Sequence, residues 1–279
     1  MGFTRFSDKI AYGYSTKHGG VSTGVYATMN LSFSTGDDLS NIRENFRRWC
    51  TDLGADPEKT VMVGQTHTTN VIYVDESHCG EGLVRERIQD VDGMITDRKG
   101  IALITSHADC VPLYFYDPVH EAIGLAHAGW RGTVGGMAAV MIRKMKEAFG
   151  SEPAEMYTRI GPCISQTYFE CDRDVVDAVM QMPVWETDGA ATLSAGTAKP
   201  VPGYEQWLPE GICSYDAEKN KYHVSLSRLD RLVMLAEGIP AAQIDMADTC
   251  TYAHEELYFS HRRQGMARGG QAALLMMKE

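Results

Sequence analysis

Several stretches of the chain repeat apolar residues every three or four positions, and this spacing predicts amphipathic helices. The clearest stretch covers residues 37–53, where an aspartate can cap the first turn and a glycine follows the last one. The same spacing predicts three further helices, over residues 133–149, 173–180 and 225–238.

Shorter apolar runs bounded by Gly, Pro, Asn or Ser predict strands. Residues 10–34 suggest two short strands around a glycine-containing loop. Residues 183–221 show no convincing period, so we expect an irregular surface excursion there. No linker or internal repeat divides the chain, which indicates a single domain over residues 1–279. Further strands are predicted at residues 60–64, 71–74, 156–160, 271–277 and around Ile244.

Polar residues interrupt the longest apolar region, residues 90–133, at two points. The first interruption ends at Cys110, and the second begins at His127. A turn around Pro118 separates the two, and counting equally outward from it places Cys110 opposite His127. Directly opposed side chains of an antiparallel pair stand about 5 Å apart at their β-carbons, which is close enough to share a metal ion or a proton.

Composition and charge narrow the possible functions. The 279 residues carry a net charge of -11, which argues against a nucleic-acid partner because phosphate neutralisation needs clustered Lys and Arg. No apolar run approaches the roughly 20 residues that span a membrane, and the first residues do not resemble a signal peptide. We therefore expect a cytoplasmic location without membrane attachment. Seven cysteines without regular spacing indicate reduced thiols.

A candidate site combines Cys110 and His127 with His67, which also lies at the end of an apolar run. Three interpretations of this group are open. One thiolate and two imidazoles suit a catalytic zinc ion that keeps a fourth position for water or substrate. Alternatively, His127 deprotonates Cys110 in a cysteine hydrolase. The third interpretation is three buried side chains without a function.

Two basic segments are candidates for contacting an anion. Lys17 and His18 precede a pair of glycines whose backbone N–H groups could face a negative charge. Arg131 lies at the start of a predicted helix, where free N–H groups and the helix dipole favour anions. Each segment also has a simpler interpretation as an exposed turn or a surface arginine. Asn30 is a further candidate for substrate binding.

The chain contains six motifs in this order: HGGVSTGVYATMNLS, QTH, HADCVPL, AHAGWRGT, GPCIS followed by YFE, and YFSHRR. These motifs resemble those of the laccase-domain family. This family was formerly called multicopper polyphenol oxidases and is now regarded as zinc-dependent purine nucleoside enzymes. The resemblance implies an α+β fold, a layered sandwich of mixed β-sheets flanked by helices. It also implies that the zinc ligands are His67, Cys110 and His127.

The same resemblance implies phosphorolysis of adenosine, inosine, guanosine or methylthioadenosine, with adenosine deamination as a second activity. Inorganic phosphate would then be held by Arg131, Lys17 or His18, while His107 and Asp109 would orient groups or transfer protons. We expect a monomer or a homodimer. The main alternative is a cysteine or zinc amidohydrolase that acts on a peptide or cell-wall precursor. Copper-dependent polyphenol oxidation is less favoured, because nine scattered histidines supply no His-x-His pair.

Overall fold

Six α-helices occur in the computed structural model, which describes residues 3–186 and 211–279. The helix predicted over residues 37–53 is confirmed, and Asp38 caps it by accepting a hydrogen bond from the Ser40 backbone N–H. The helix predicted over residues 173–180 is confirmed as well. The helices are α1 Leu39–Asp52, α2 Trp130–Val134, α3 Met137–Phe149, α4 Arg173–Met180, α5 Leu226–Ala236 and α6 His261–Gln264.

The helix predicted over residues 133–149 is confirmed from Met137 to Phe149. Its first part is wrong, because the structure has two helices there. The first, α2, begins three residues earlier at Trp130, and two glycines separate it from α3. The second glycine, Gly136, has a φ of 79°, in the left-handed region that glycine adopts without steric cost. Apolar residues keep their helical spacing across this break, so the pattern alone could not reveal it.

Most of the predicted strands are confirmed, and the strand at residues 271–277 has the predicted bounds. In chain order the strands of the described residues are β1 Ile10–Tyr14, β2 Thr60–Met62, β3 Val71–Tyr73, β4 Gly93–Thr96, β5 Ala102–His107, β6 Val111–Asp117, β7 Ala122–Ala128, β8 Tyr157–Ile160, β9 Glu170–Cys171, β10 Cys213–Asp216, β11 Lys221–Val224, β12 Ile244–Met246 and β13 Gln271–Met277.

Two expectations about irregular regions need correction. Residues 10–34 contain one strand, β1, and Gly24–Tyr26 form a 3₁₀ turn instead of a second strand. The end of the 183–221 stretch is not irregular, because β10 pairs with β11 there and Ile212 is 1% exposed. A four-residue strand is too short for its period to stand out in the sequence. The middle of this stretch, residues 187–210, lies outside the described residues.

Two mixed sheets pack face to face at the centre of the molecule. Their strand orders are β1-β13-β5-β2 and β12-β8-β6-β7-β4-β3, and a smaller sheet has the order β10-β11-β9. Alternate residues of each strand face opposite layers: Leu103 and Leu275 pack between the two large sheets, whereas Ile104 and Leu274 pack against α1. The outer face of the six-stranded sheet packs against α3, α4 and α5. The expected α+β layered sandwich is therefore confirmed.

None of the helices in the described ranges has the length and apolar character needed to cross a membrane.

The chain passes from one large sheet to the other between β5 and β6, where polar residues interrupt the apolar region. β5 belongs to the four-stranded sheet, and β6 belongs to the six-stranded one. His107 ends β5 and His127 lies near the end of β7, and both face the space between the sheets because they alternate in step with Leu103 and Leu125. Their ring centroids are 5.3 Å apart. The break in the apolar pattern thus marks one edge of the space between the sheets.

The predicted register of the β6–β7 hairpin is wrong by two residues. His127 pairs with Pro112 rather than with Cys110, because the turn between Asp117 and Ala122 holds four residues, 118–121. A shift of two residues keeps every side chain on the same face of the sheet. Cys110 therefore lies diagonally from His127 on that face, within reach of it.

Candidate metal centre

Three segments that are distant in sequence bring His67, Cys110 and His127 together. His67 follows β2, Cys110 lies between β5 and β6, and His127 lies near the end of β7. Their ligand atoms all lie within 4.8 Å of one another, and Cys110 Sγ is 3.9 Å from His67 Nε2. His127 is buried and His67 is exposed, so the group is open to solvent on one side.

Asp92, directly before β4, orients this group. Its Oδ1 accepts hydrogen bonds from His127 Nδ1 at 2.8 Å and from the His67 backbone N–H at 3.1 Å. Its Oδ2 accepts bonds from the backbone N–H groups of Thr66 and Thr68 and from the Thr68 hydroxyl. Because His127 donates through Nδ1, its Nε2 is left to bind a metal ion. The same bonds hold His67 at a φ of 66°, which a residue with a side chain rarely adopts.

The charges of this group depend on one another. Burial would raise the pKa of the Cys110 thiol, but His127 and His67 bring this pKa below its usual value. Burial would lower the pKa of His127, but Cys110 and Asp92 raise it above its usual value. Burial would also raise the pKa of Asp92, whereas the bonds from His127 and the Thr68 N–H lower it to about 2. A thiolate beside an imidazolium is therefore the favoured form without metal.

The distances and the donor set fit a metal ion. A sulfur and a nitrogen ligand of one tetrahedral zinc ion lie ~3.5 Å apart, given Zn–S and Zn–N lengths of about 2.3 and 2.0 Å. The 3.9 Å between Cys110 and His67 is close to that separation. Gly129 leaves the space free, because a Cβ there would lie 2.5 Å from His67 Cδ2 and 3.3 Å from Cys110 Sγ.

We expect Gly129→Ala to weaken zinc binding by about 10- to 100-fold, the range found when the surroundings of metal ligands are disturbed. Gly129 has φ -73° and ψ 175°, which alanine also adopts, so the effect would be steric and not a backbone strain. The added methyl group would push the His67 ring away from Cys110. Zinc titration against a competing chelator dye measures the change in affinity.

Gly132→Ala is the matched control for that variant. Gly132 lies in α2, three residues after Gly129. A Cβ at Gly132 would lie 3.5 Å from its nearest atom, which is an ordinary contact distance. Its zinc affinity should equal that of the wild type. Equal zinc affinities for the two variants would show that the close approach at Gly129 has no role in metal binding.

His107, a predicted proton-transfer residue, is 3% exposed. Its Nδ1 donates to the Cys110 carbonyl at 3.2 Å, so its Nε2 carries no proton and accepts a bond from the Thr105 hydroxyl at 2.8 Å. Burial holds the pKa of His107 well below its usual value, and the charge of His127 acts in the same direction. The neutral ring therefore positions the backbone of Cys110, and a role in proton transfer stays a prediction.

Asp109, the second predicted proton-transfer residue, has both carboxylate oxygens occupied. Oδ1 accepts a bond from the Thr251 hydroxyl at 2.7 Å, while Oδ2 accepts bonds from the Ser260 hydroxyl at 2.9 Å and the Arg262 N–H at 2.7 Å. These bonds tie the loop that carries Cys110 to the chain around the start of α6. The structure places Asp109 as a support for that loop, and its proton-transfer role also stays a prediction.

Two cavities meet at the metal ligands, and His67 and Cys110 line both of them. The aromatic cavity, of about 400 Å³, also contains Trp130, Arg131, Ile164, Phe169 and Leu226. The arginine cavity, of about 320 Å³, also contains Ser32, Ser34, Gln65, Arg87, Gln89 and Arg268.

The predicted substrate-binding residues do not all reach these cavities. Arg131 lines the aromatic cavity, and its guanidinium carbon lies 4.3 Å from the ring centroid of Trp130. Asn30 is fully buried, and both ends of its amide are engaged in internal hydrogen bonds. Lys17 and His18 line neither the aromatic nor the arginine cavity. For these three residues, a contact with substrate stays a prediction.

Sequence reasoning missed Asp92, Gly129, Arg87 and Arg268. A signal existed for Asp92, because it stands at the start of a buried strand, the same kind of break that pointed to Cys110. Gly129 lies within one of the recognised motifs, but its close neighbours come from other segments. No local pattern marks the two arginines, since their shared cavity exists only in the folded chain.

Comparisons with known proteins assign the chain to a family. A family model described as multi-copper polyphenol oxidoreductase laccase matches residues 11–278. Purine nucleoside phosphorylase YlmD of Bacillus subtilis is 33% identical over 97% of this chain and 90% of its own length. Adenosine deaminase RL5, from an unknown prokaryotic organism, is 28% identical over 92% of this chain and 90% of its own. The crystal structure of YlmD from Geobacillus stearothermophilus is 33% identical and has a TM-score of 0.81, covering 97% of this chain and 92% of that one. Because the family model spans nearly the whole chain, this protein belongs to the multi-copper polyphenol oxidoreductase laccase family.

Proposed function

We propose that this protein is a zinc-dependent purine nucleoside phosphorylase. It would convert adenosine, inosine, guanosine or methylthioadenosine to the free base and (methylthio)ribose 1-phosphate, with adenosine deamination as a second activity. The observation that carries the proposal is the group of His67, Cys110 and His127, whose ligand atoms lie within 4.8 Å of one another where two cavities meet. Relatives named as a phosphorylase and as a deaminase align with 97% and 92% of the chain, which supports both activities.

Zinc suits this set of ligands better than copper. One thiolate and two imidazoles match the preferences of zinc and leave its fourth position open. When bound, zinc would supply a Lewis acid that stabilises negative charge and lowers the pKa of water. A multicopper oxidase needs several grouped ions, whereas residues 3–186 and 211–279 contain one group of three such ligands.

Side chains of the aromatic cavity would recognise the purine. Trp130 and Phe169 line it and would provide aromatic surface for the base, and Ile164 and Leu226 would add apolar contacts. In phosphorolysis the purine leaves with negative charge, which a cation or a proton donor must stabilise. Arg131 lines this cavity and would provide that positive charge.

Metal removal tests the proposed function. Purified protein should contain about one zinc ion per chain, as expected for one set of three ligands. Dialysis against a chelator should abolish turnover, and zinc should restore it. Chromatography should detect free base and ribose 1-phosphate from inosine only when phosphate is present, and inosine from adenosine without phosphate.

Two outcomes would contradict the proposal. Protein without zinc that turns over neither nucleoside, with or without phosphate, would overturn it. Recovery of activity with copper but not with zinc, together with oxidation of a phenol, would favour the polyphenol oxidase instead.

A cysteine amidohydrolase is the second candidate, because Cys110, His127 and Asp92 form a row of thiol, imidazole and carboxylate. In this case His127 would hold Cys110 as the thiolate that attacks an amide of a peptide or cell-wall precursor. Such an enzyme would keep its activity after chelator treatment and lose it on thiol alkylation. The zinc-dependent enzyme would lose activity in the chelator.

A cytoplasmic location, a monomeric or homodimeric state and the lack of a nucleic-acid partner stay predictions.

A further inference from the structure

The arginine cavity has a composition that suits an anion. It is lined by two arginines, by the hydroxyls of Ser32 and Ser34 and by two glutamine amides, and no Asp or Glu of the described residues lines it. The protein as a whole carries a net charge of -11. A basic cavity free of carboxylates in such an acidic chain attracts and holds negatively charged ligands.

Arg268 has hydrogen-bond donors that are not used within the protein. Its Nε donates to His261 Nδ1 at 3.4 Å, and its Nη1 donates to the Gly269 carbonyl at 2.8 Å. Its Nη2 has no hydrogen-bond partner in the part of the chain that the structure describes. The side chain is half-buried, and arginine keeps its charge even there. A partly buried cation with a free donor is stabilised by an anion that reaches it.

Arg87 enters the same cavity from the loop before β4. Within the described ranges its guanidinium has neither an ion-pair partner nor a hydrogen bond. Its neighbour Arg85 behaves differently, since it pairs with Glu81 and donates to the Ser77 carbonyl. The free guanidinium of Arg87 therefore sits beside a cavity that already contains one unsatisfied arginine.

We propose that inorganic phosphate binds in the arginine cavity, with Arg87 and Arg268 as its cationic contacts. The hydroxyls of Ser32 and Ser34 lie 3.0 Å apart and share one hydrogen bond, so this pair supplies one further donor. Guanidinium groups match phosphate oxygens in geometry and charge. The inference rests on the proposed function and names the phosphate site of that reaction. It assigns phosphate to residues other than Arg131, Lys17 and His18.

The arginine and aromatic cavities meet at the candidate metal ligands, and this arrangement allows phosphate and purine to bind on different sides of one ribose. A phosphate oxygen donates an electron pair to the anomeric carbon and forms the new C–O bond. The C–N bond to the purine breaks, its electron pair leaves with the base, and the base takes up a proton. Phosphate and purine therefore approach one carbon from different sides. The arginine and aromatic cavities share His67, Cys110, Ala108 and His261, so a ribose placed there could contact both.

Arg87→Gln and Arg268→Gln test the phosphate site. Each variant should raise the KM for phosphate on the order of 10- to 100-fold, the effect of losing a charge-assisted hydrogen bond. The KM for inosine and the zinc content should stay near their wild-type values. Calorimetric titration of the zinc-loaded protein with inorganic phosphate, without nucleoside, should show weaker binding by the same factor. Because deamination consumes no phosphate, the ratio of phosphorolysis to deamination should fall.

Three further variants make this test specific. Arg43→Gln removes a positive charge from α1 outside both cavities and should leave phosphate binding unchanged. Arg131→Gln should lower the kcat for inosine phosphorolysis without raising the KM for phosphate. Arg268→Lys keeps the charge without the planar fork, so its phosphate affinity should fall between those of the wild type and Arg268→Gln.

The outcomes separate this inference from the proposed function. Wild-type protein that binds no phosphate in the calorimeter would overturn the inference. So would a rise in the phosphate KM for Arg131→Gln while the variants of Arg87 and Arg268 match the wild type. Phosphate binding that depends on Arg87 and Arg268, in a protein that turns over no nucleoside, would support the anion site and contradict the phosphorylase.

Discussion

Cys110→Ala is expected to lose its zinc and all turnover of adenosine and inosine. The thiolate is one of three candidate ligands, and its removal leaves two imidazoles with no negatively charged ligand. Loss of a partner outside the ligand set already weakens metal binding by about 10- to 100-fold, so loss of a ligand should exceed this range. Zinc analysis of the purified variant and chromatographic detection of products measure the two effects.

Cys79→Ala is the matched control, because it removes a half-buried thiol that lines neither cavity and whose pKa is raised by burial. It should keep both zinc and activity. If Cys110→Ala also kept both, the thiolate would have no role in metal binding or in catalysis. If it kept zinc but lost activity, the cysteine hydrolase would gain support.

Asp92→Asn is expected to lower zinc affinity by about 10- to 100-fold and to lower turnover with it. Asp92 accepts bonds from His127 and His67 on one oxygen and from Thr66 and Thr68 on the other. An asparagine amide has one oxygen that accepts and one NH₂ that donates, so one of these two sets is lost. With the NH₂ towards His127, the imidazole proton moves to Nε2, the nitrogen needed for zinc. With the NH₂ towards Thr66 and Thr68, the loop that carries His67 loses its anchor.

Asp90→Asn makes the same chemical change two residues away. Asp90 is exposed and accepts bonds from the Thr66 hydroxyl and the Asn70 amide, while its φ of 63° suits asparagine as well as aspartate. Its zinc affinity in a chelator competition should equal that of the wild type. Equal affinities for the Asp92 and Asp90 variants would mean that the carboxylate of Asp92 does not orient the ligands.

The helices and strands with a complete local pattern were predictable from the sequence. In α1 the apolar residues Ile42, Phe46 and Trp49 repeat at helical spacing, and Asp38 supplies the cap. The strand β13 has its predicted bounds because its seven residues are all buried. The apolar spacing did not predict the break between α2 and α3. Gly136 separates these helices without disturbing that spacing.

The three candidate metal ligands could also be identified from the sequence, before their positions in the fold were known. His67, Cys110 and His127 each lie where an apolar run ends, and polar groups in such places are costly unless they have partners or a function. The register that first suggested a pairing of Cys110 and His127 was wrong by two residues. Both side chains still face the same space, because the pleat of a strand repeats every two residues.

The sequence by itself determined most of the local elements and the candidate donor atoms for a metal ion, because each depends on residues a few positions apart and on their own chemistry. Only the tertiary structure decided that β5 and β6 join different sheets and that Asp92 orients both histidines. It also decided that Arg87 and Arg268 share one cavity. These contacts join segments far apart in the chain, and they form only when the two sheets pack face to face and bury the residues between them.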